Sequence, residues 1–235
     1  MKKYKIIFFG TPEFAIPPLE GIYEKEDLIA VVTQTDKPKG RGLKPSPSPI
    51  KTWALSKDLK VLEPLRLKDP QFIETIKNLS PDLIVVCAYG KIFPKELLEI
   101  PRFGCWNIHA SLLPKYRGAS PINWALLEGE KETGITIMLM DEGLDTGPIL
   151  LQKKIEISED DDAISLSKKL SFLGKEAILE AIDLHKKGEL KAIPQPEDGV
   201  SYAPLLKKED GFFTFEEPAE KIERKVRAFL PWPTA

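Results

Sequence analysis

The chain holds 235 residues, 42% hydrophobic, 30% charged and 9% aromatic. That composition supplies enough apolar surface for a real core and excludes disordered, collagen-like and repeat architectures. Thirty-four Lys and Arg against thirty-six Asp and Glu leave a net charge of −2, so a nucleic-acid partner has to be met by a local basic patch.

The start, M-K-K-Y-K-I-I-F-F-G, places basic residues before an apolar run. The run is too short for a signal peptide and reads as a first strand. Leu83 to Ala88 is equally short of a bilayer span, and no membrane partner is expected. Tyr4 to Phe9, a helix around Phe14 to Glu26 and the β-rich run Leu28 to Val32 make a β-α-β unit. Gln34 to Pro49 follows, rich in Pro and Lys, and its prolines and glycines are expected to forbid regular structure. A short helix through Trp53 and Leu55 and another over Pro70 to Leu79 lead to D-L-I-V-V-C-A, Asp82 to Ala88, whose continuous β-branched character suits a strand covered on both faces. Cys105 to His109 reads as a strand, Pro121 to Glu128 as a helix, Gly134 to Met140 as a strand and Ile149 to Ile157 as an outer strand. Asp160 to Asp162 opens a long helix whose core stripe is Leu166, Leu170, Leu173, Ala177, Ala181 and Leu184, ended by Gly188. His185, in its last turn, is expected at the surface.

The fold class is therefore α/β, a Rossmann-like doubly wound sheet. Residues 1–188 read as the first domain, where any catalysis is expected, and 189–200 as a linker. Residues 201–235, with one amphipathic helix from Ala219 to Phe229, are too few for an independent core. They either dock on the first domain or open a second, truncated one. The two cysteines, Cys87 and Cys105, lie in apolar runs and read as buried free thiols of a cytoplasmic protein. Together with His109 and His185 they show no zinc-ligand spacing, and no metal is expected.

Chemistry concentrates after the strand Cys105 to His109, where the loop Ala110 to Gly118 leaves the carboxyl edge of the sheet, the place where open α/β folds bind ligands. Asn107 and His109, one residue apart on a strand, point to the same face. Such a pair is either a satisfied buried hydrogen-bond pair or a working one. Asp145, on the Gly-flanked loop Asp141 to Gly147, is either an Asx turn or a third partner. An amide, an imidazole and a carboxylate on adjacent strand ends can polarise a carbonyl, shuttle a proton and orient the imidazole, without a serine or cysteine nucleophile. That set suits direct transfer of an acyl group to an amine. The segment Gln34 to Lys51 carries Lys37, Lys39, Arg41, Lys44 and Lys51 against Asp36, a net +4. It is either a solvated flexible loop or a phosphate-facing one. F-F-G-T-P-E-F after the first strand lacks the three glycines of a dinucleotide site.

N-I-H-A-S-L-L-P-K-Y-R-G at Asn107 to Gly118, with D-E-G-L-D-T-G at Asp141 to Gly147, resembles the signature of the 10-formyltetrahydrofolate-dependent formyltransferases. F-F-G-T-P-E-F-A at Phe8, T-Q-T-D-K-P-K-G-R-G at Thr33, C-A-Y-G-K-I-F-P at Cys87 and R-A-F-L-P-W-P at Arg227 are similar to the members of that family that act on methionyl-tRNA. The resemblance covers essentially the whole chain. It implies that Asn107, His109 and Asp145 are catalytic, with Asn107 and His109 stabilising the oxyanion while Asp145 holds His109 and assists proton transfer. It further implies that Ser111, Leu112, Leu113 and Pro114 line the folate site and that backbone around Tyr89 to Ile92 grips the pteridine edge. Lys37, Lys39, Arg41 and Lys44 are then the tRNA-facing charges.

The implied activity is transfer of the formyl group of 10-formyltetrahydrofolate to the α-amine of initiator methionyl-tRNA by a monomer. A sugar-nucleotide N-formyltransferase, or a non-catalytic tRNA- or folate-binding module, is the alternative. Leu230 departs from the asparagine frequent in the family, and full-length members continue past P-W-P into a C-terminal β-barrel.

Overall fold

In the computed structural model, residues 2–39 and 44–235 are described. The chain runs β1 (Lys5–Gly10), α1 (Ile16–Lys25), β2 (Asp27–Val32), β3 (Lys37–Lys39), β4 (Lys44–Ser46), α2 (Pro49–Leu55), β5 (Val61–Leu62), α3 (Pro70–Leu79), β6 (Leu83–Cys87), α4 (Lys95–Leu98) and β7 (Cys105–His109). It continues through β8 (Arg117–Gly118), α5 (Pro121–Leu127), β9 (Glu132–Leu139), β10 (Ile149–Glu156), α6 (Ala163–Lys187), β11 (Tyr202–Ala203) and α7 (Ala219–Ala228).

One seven-stranded sheet has the order β10-β9-β7-β6-β1-β2-β5. Its β7-β6-β1-β2-β5 portion is parallel, while β9 and β10 pair antiparallel at the edge. β6 is buried at every residue, as a strand covered on both faces requires. One face carries Ile6, Phe8, Val31, Leu83, Val85, Trp106 and Ile108 against α1 and α6. The opposite face carries Ile7, Phe9, Val32, Ile84, Val86 and Cys105 with Phe72 and Ile76 of α3. Both thiols are buried, and burial pushes them well above the ordinary cysteine range. The chain moves from β1 outward to β2 and β5 and then returns to β6 on the other side of β1. This reversal opens a crevice at the carboxyl ends of the central strands.

Helix starts follow local chemistry. Pro17 and Pro18 sit in the first turn of α1, where amides have no intrahelical acceptor, and the preceding Glu13–Ala15 is a 3₁₀ turn. Asp162 caps α6, accepting from the amides of Ile164 at 2.9 Å and Ser165 at 2.8 Å, and Gly188 closes it at φ 72°.

Two expectations are corrected. Gln34 to Pro49 does contain regular structure, because β3 and β4 pair antiparallel with Pro38 opposite Pro45. A two-stranded ladder tolerates proline where the missing amide would point outward. His185 is half-buried rather than superficial. It packs against Phe103 at 4.6 Å and Trp106 at 5.4 Å, and its Nδ1 meets the Tyr4 hydroxyl at 2.9 Å. Burial holds its pKa below the ordinary histidine value. Arg41 lies outside the described residues.

Residues 201–235 dock on this body. β11 pairs parallel with β8, and α7 packs on α5. Asn123 Nδ2 donates to the Ala228 carbonyl at 2.7 Å and Arg227 Nη1 to that of Asp161 at 2.9 Å, while Leu206, Ala228 and Phe229 join the main core. Among the described residues no helix is long and apolar enough to cross a membrane.

Asp161 is the buried charge at this junction, 3% exposed. It accepts from Lys169 Nζ at 2.8 Å, Ser165 Oγ at 2.8 Å and the Ser158 amide at 2.9 Å. Burial alone raises its pKa, but these three donors outweigh that and hold it below the ordinary carboxylate value. Asp161→Ala is expected to cost about 2–3 kcal/mol at neutral pH in urea unfolding. Because the folded-state pKa is depressed, this contribution is present above the ordinary carboxylate value and lost as pH falls through the folded one. The gap between wild type and variant therefore narrows in acid.

Candidate active site

β7 alternates as its sequence requires. Trp106 and Ile108 enter the α1/α6 core, while Cys105 faces the other core, so Asn107 and His109 share its side of the sheet. Their partners come from two loops.

The first is Ala110 to Gly118. His109 Nε2 lies 2.9 Å from the Tyr116 carbonyl oxygen. A carbonyl only accepts, so Nε2 carries the proton and the lone pair of the neutral ring is on Nδ1. Tyr116 is buried in a left-handed conformation at φ 60°. Its amide donates to Ser201 Oγ at 2.9 Å and its hydroxyl to Glu130 at 2.7 Å. Burial and the Glu130 bond push the Tyr116 hydroxyl well above the usual tyrosine pKa. Burial would raise Glu130 too, but hydrogen bonds from Lys115 and Tyr116 hold it below its ordinary value.

The second loop is Asp141 to Gly147. Asp141 makes the Asx turn, accepting from the Gly143 amide at 3.0 Å and Thr146 Oγ1 at 2.8 Å. Asp145 is thereby free to reach inward. Its Oδ2 accepts from the Gly118 amide at 2.8 Å and lies 3.6 Å from His109 Nδ1, and Asn107 Nδ2 stands 3.5 Å from its Oδ1. Asp145 itself is left-handed at φ 52°. Asp145 faces the ring at ion-pair distance. The ring is held by the Tyr116 carbonyl, and 3.6 Å is too long for a hydrogen bond.

The same geometry has a chemical consequence. Nδ1 of neutral His109 and Asp145 Oδ2 are both acceptors facing one another across 3.6 Å. A substrate N–H placed against the pair would find an acceptor on either side.

Ser111 and Leu113 are buried. Ser111 Oγ donates to the Lys115 carbonyl at 2.6 Å. Thr136 Oγ1 of β9 donates to the Ser111 carbonyl at 2.6 Å and accepts from the Leu113 amide at 3.1 Å. Gln152 Nε2 of β10 donates to the Leu113 carbonyl and to Thr136 Oγ1, each at 2.9 Å. Leu112 and Pro114 are half-buried. Tyr89, at the end of the adjacent β6, packs edge-on against Phe9 with its ring 2% exposed, and Ile92 is 88% exposed. The Tyr89 carbonyl is engaged by Gln34 Nε2 at 2.5 Å. Lys37 and Lys39 fall on β3 and Lys44 on β4. Lys51 is pinned between Asp36 at 2.8 Å and Glu63 at 2.9 Å, so it anchors the base of that hairpin and adds no net charge to it. Among the described residues no group of three or more His, Cys, Asp or Glu could hold a metal ion.

Thr136, Gln152, Tyr116, Gln195 and Ser201 went unnoticed in the sequence. They act through carbonyls, amides and neutral side chains, and nothing in residue spacing distinguishes them from ordinary strand and loop residues.

The formyl transferase family pattern matches residues 4–182 and the formyl transferase C-terminal domain pattern residues 205–235. The methionyl-tRNA formyltransferase of Myxococcus xanthus is 49% identical over 235 residues, covering 100% of this chain and 75% of the relative. That of Thermodesulfovibrio yellowstonii is 54% identical over 232 residues, covering 98% of this chain and 75% of its own. The chain belongs to the methionyl-tRNA formyltransferase family. The fold is shared with an N-formyltransferase from Helicobacter canadensis, solved with folinic acid and dTDP-3-aminofucose, at a TM-score of 0.75 and 23% identity over 96% of this chain and 80% of that one. HypX from Aquifex aeolicus, solved with tetrahydrofolic acid, matches at a TM-score of 0.71 and 18% identity over 99% of this chain and 35% of that one.

In this family member Thr136 Oγ1 holds two backbone groups of the loop after β7. Thr136→Val strands the buried Leu113 amide and Ser111 carbonyl, and is expected to lower stability by about 2–3 kcal/mol in denaturant unfolding, more than a surface Thr→Val.

Proposed function

We propose that this chain transfers the formyl group of 10-formyltetrahydrofolate to the α-amine of initiator methionyl-tRNA. The observation that carries this reading is the meeting of Asn107, His109 and Asp145 at one strand end, in a chain about half identical to methionyl-tRNA formyltransferases over its whole length.

The folate co-substrate supplies an activated formyl carbonyl, and the amine nitrogen attacks its carbon. Asn107 Nδ2 is a neutral donor suited to the oxygen as it becomes negative. His109 Nδ1, with its lone pair fixed outward by the Nε2 bond to Tyr116, takes the proton that the amine must lose. Asp145 Oδ2, 3.6 Å away, stabilises the resulting imidazolium, which then donates to the departing folate nitrogen. This assigns His109 the acceptor role first and the donor role second. Ser111 to Pro114, clamped by Thr136 and Gln152, shape the folate side of the crevice, with the backbone of Tyr89 to Ile92 opposite. The protein acts as a monomer in the cytoplasm.

Lys37, Lys39, Arg41 and Lys44 supply the phosphate-facing charge. With Lys51 committed to Asp36 and Glu63, these four are the basic residues of the hairpin that answer to an RNA backbone.

His109→Ala and Asn107→Ala are each expected to lower kcat for formyl transfer from 10-formyltetrahydrofolate to methionyl-tRNA at least about a hundredfold, with a lowered unfolding midpoint for His109→Ala, which strands the buried Tyr116 carbonyl, and little change for Asn107→Ala. Near-normal turnover in either variant removes that residue from the mechanism, and failure of the wild type to formylate methionyl-tRNA overturns the reading. For the hairpin, Arg41→Ala is expected to weaken tRNA binding and to flatten its logarithmic salt dependence by about one. Titrations at several salt concentrations check this, and an unchanged slope returns the hairpin to a solvated role.

A further inference from the structure

Gln195 lies in the stretch that the sequence presents as a linker, half-buried among exposed neighbours from Lys191 to Gly199. Its side chain is fully engaged. Nε2 donates to the carbonyls of Asp145 at 2.7 Å and Gly147 at 2.8 Å, and Oε1 accepts from Arg117 Nε at 3.1 Å and Nη2 at 2.7 Å. No backbone amide among the described residues takes up either of those two carbonyls. Gln195 is itself fixed by its neighbour Ile193, which exchanges two 2.8 Å backbone hydrogen bonds with Ile149 at the start of β10.

This amide therefore joins the two loops that meet at the site. Arg117 precedes Gly118, whose amide holds Asp145 Oδ2, while the other end of Gln195 holds the backbone of Asp145. A left-handed aspartate costs energy to maintain and persists only where its surroundings over-determine it. Gln195 and Gly118 supply that determination from opposite sides of one residue.

We propose that Gln195 is a positioning residue for formyl transfer, acting through the backbone of Asp145 and braced by Arg117, so that the carboxylate stays at its distance from His109 and Asn107. It touches no reacting atom. The inference rests on the proposed function for its catalytic consequence, and on geometry alone for its structural one.

The test uses Gln195→Ala and Gln195→Glu in the full chain. Glutamate keeps a partner for Arg117 but cannot donate to the two carbonyls, so it separates the two halves of the clamp. Both variants are expected to lose about thirtyfold in kcat, with KM for folate and tRNA within about threefold of wild type. In an Asp145→Ala background, adding Gln195→Ala is expected to change kcat less than about threefold, because the residue acts through Asp145. Independently of activity, hydrogen exchange at the Gly118 amide is expected to rise at least about tenfold in both variants, with α6 unchanged. Wild-type Gly118 exchange in Gln195→Glu, kcat within threefold of wild type, a loss shared equally by KM, or full additivity with Asp145→Ala overturns the proposal. Should the alanine variant not fold, the glutamate variant decides. A wild type that fails to formylate methionyl-tRNA overturns the functional reading instead, and the exchange measurement still decides the clamp.

Discussion

Two polar side chains on a strand that is otherwise apolar set the problem that this structure solves. Asn107 and His109 cannot be left unpaired at the carboxyl end of an interior strand without a penalty of about 1–3 kcal/mol each, and their own strand offers no side-chain partner. The Tyr116 carbonyl, at 2.9 Å from His109 Nε2, is the partner that decides the rest. To present it, the loop after β7 turns back on itself, Tyr116 adopts a left-handed conformation, and Glu130 and Ser201 hold it there. The bond also chooses the imidazole tautomer, which leaves Nδ1 as the atom available to chemistry.

Everything around that bond is a brace of a second order. The fold supplies rigid strands, and the loops at their carboxyl ends are held by neutral hydrogen bonds from residues far apart in sequence. Thr136 and Gln152 reach from the antiparallel edge to Ser111 and Leu113. Gln195 and Ser201 reach from beyond α6 to Asp145 and Tyr116. Polar groups held this way need little reorganisation when charge develops, which is where preorganised dipoles lower a barrier. The antiparallel strands β9 and β10, an irregularity in an otherwise parallel sheet, earn their place by carrying these braces.

Charge is distributed to match. The candidate site holds one carboxylate, one imidazole and one amide, and among the described residues none of the three forms an ion pair with a lysine or arginine. Lys37, Lys39 and Lys44 lie on the β3–β4 hairpin, at whose base Lys51 pairs with Asp36 and Glu63. The segment 201–235 packs Leu206, Ala228 and Phe229 into the common core and leaves Leu205, Phe212 and Phe215 exposed.

Much of this was legible in the residues. Continuous β-branched runs announced buried parallel strands, the four-and-three spacing from Leu166 to Leu184 announced α6, and Asn107, His109 and Asp145 were marked by their place at strand ends and by the family signature. Periodicity and composition report on burial, and burial is decided locally enough for a sequence to show it. Other features depended on which atoms meet across the fold. That Asp141 rather than Asp145 makes the Asx turn, that Pro38 can face Pro45 in a ladder, and that His185 is wedged among Tyr4, Phe103 and Trp106 all follow from backbone paths set by distant packing. So does the holder of His109. The sequence by itself determined the central strands, the longer helices and the three candidate side chains. Only the tertiary structure decided their tautomer, their spacing and their braces, because hydrogen bonds to carbonyls and amides carry no signature in residue type.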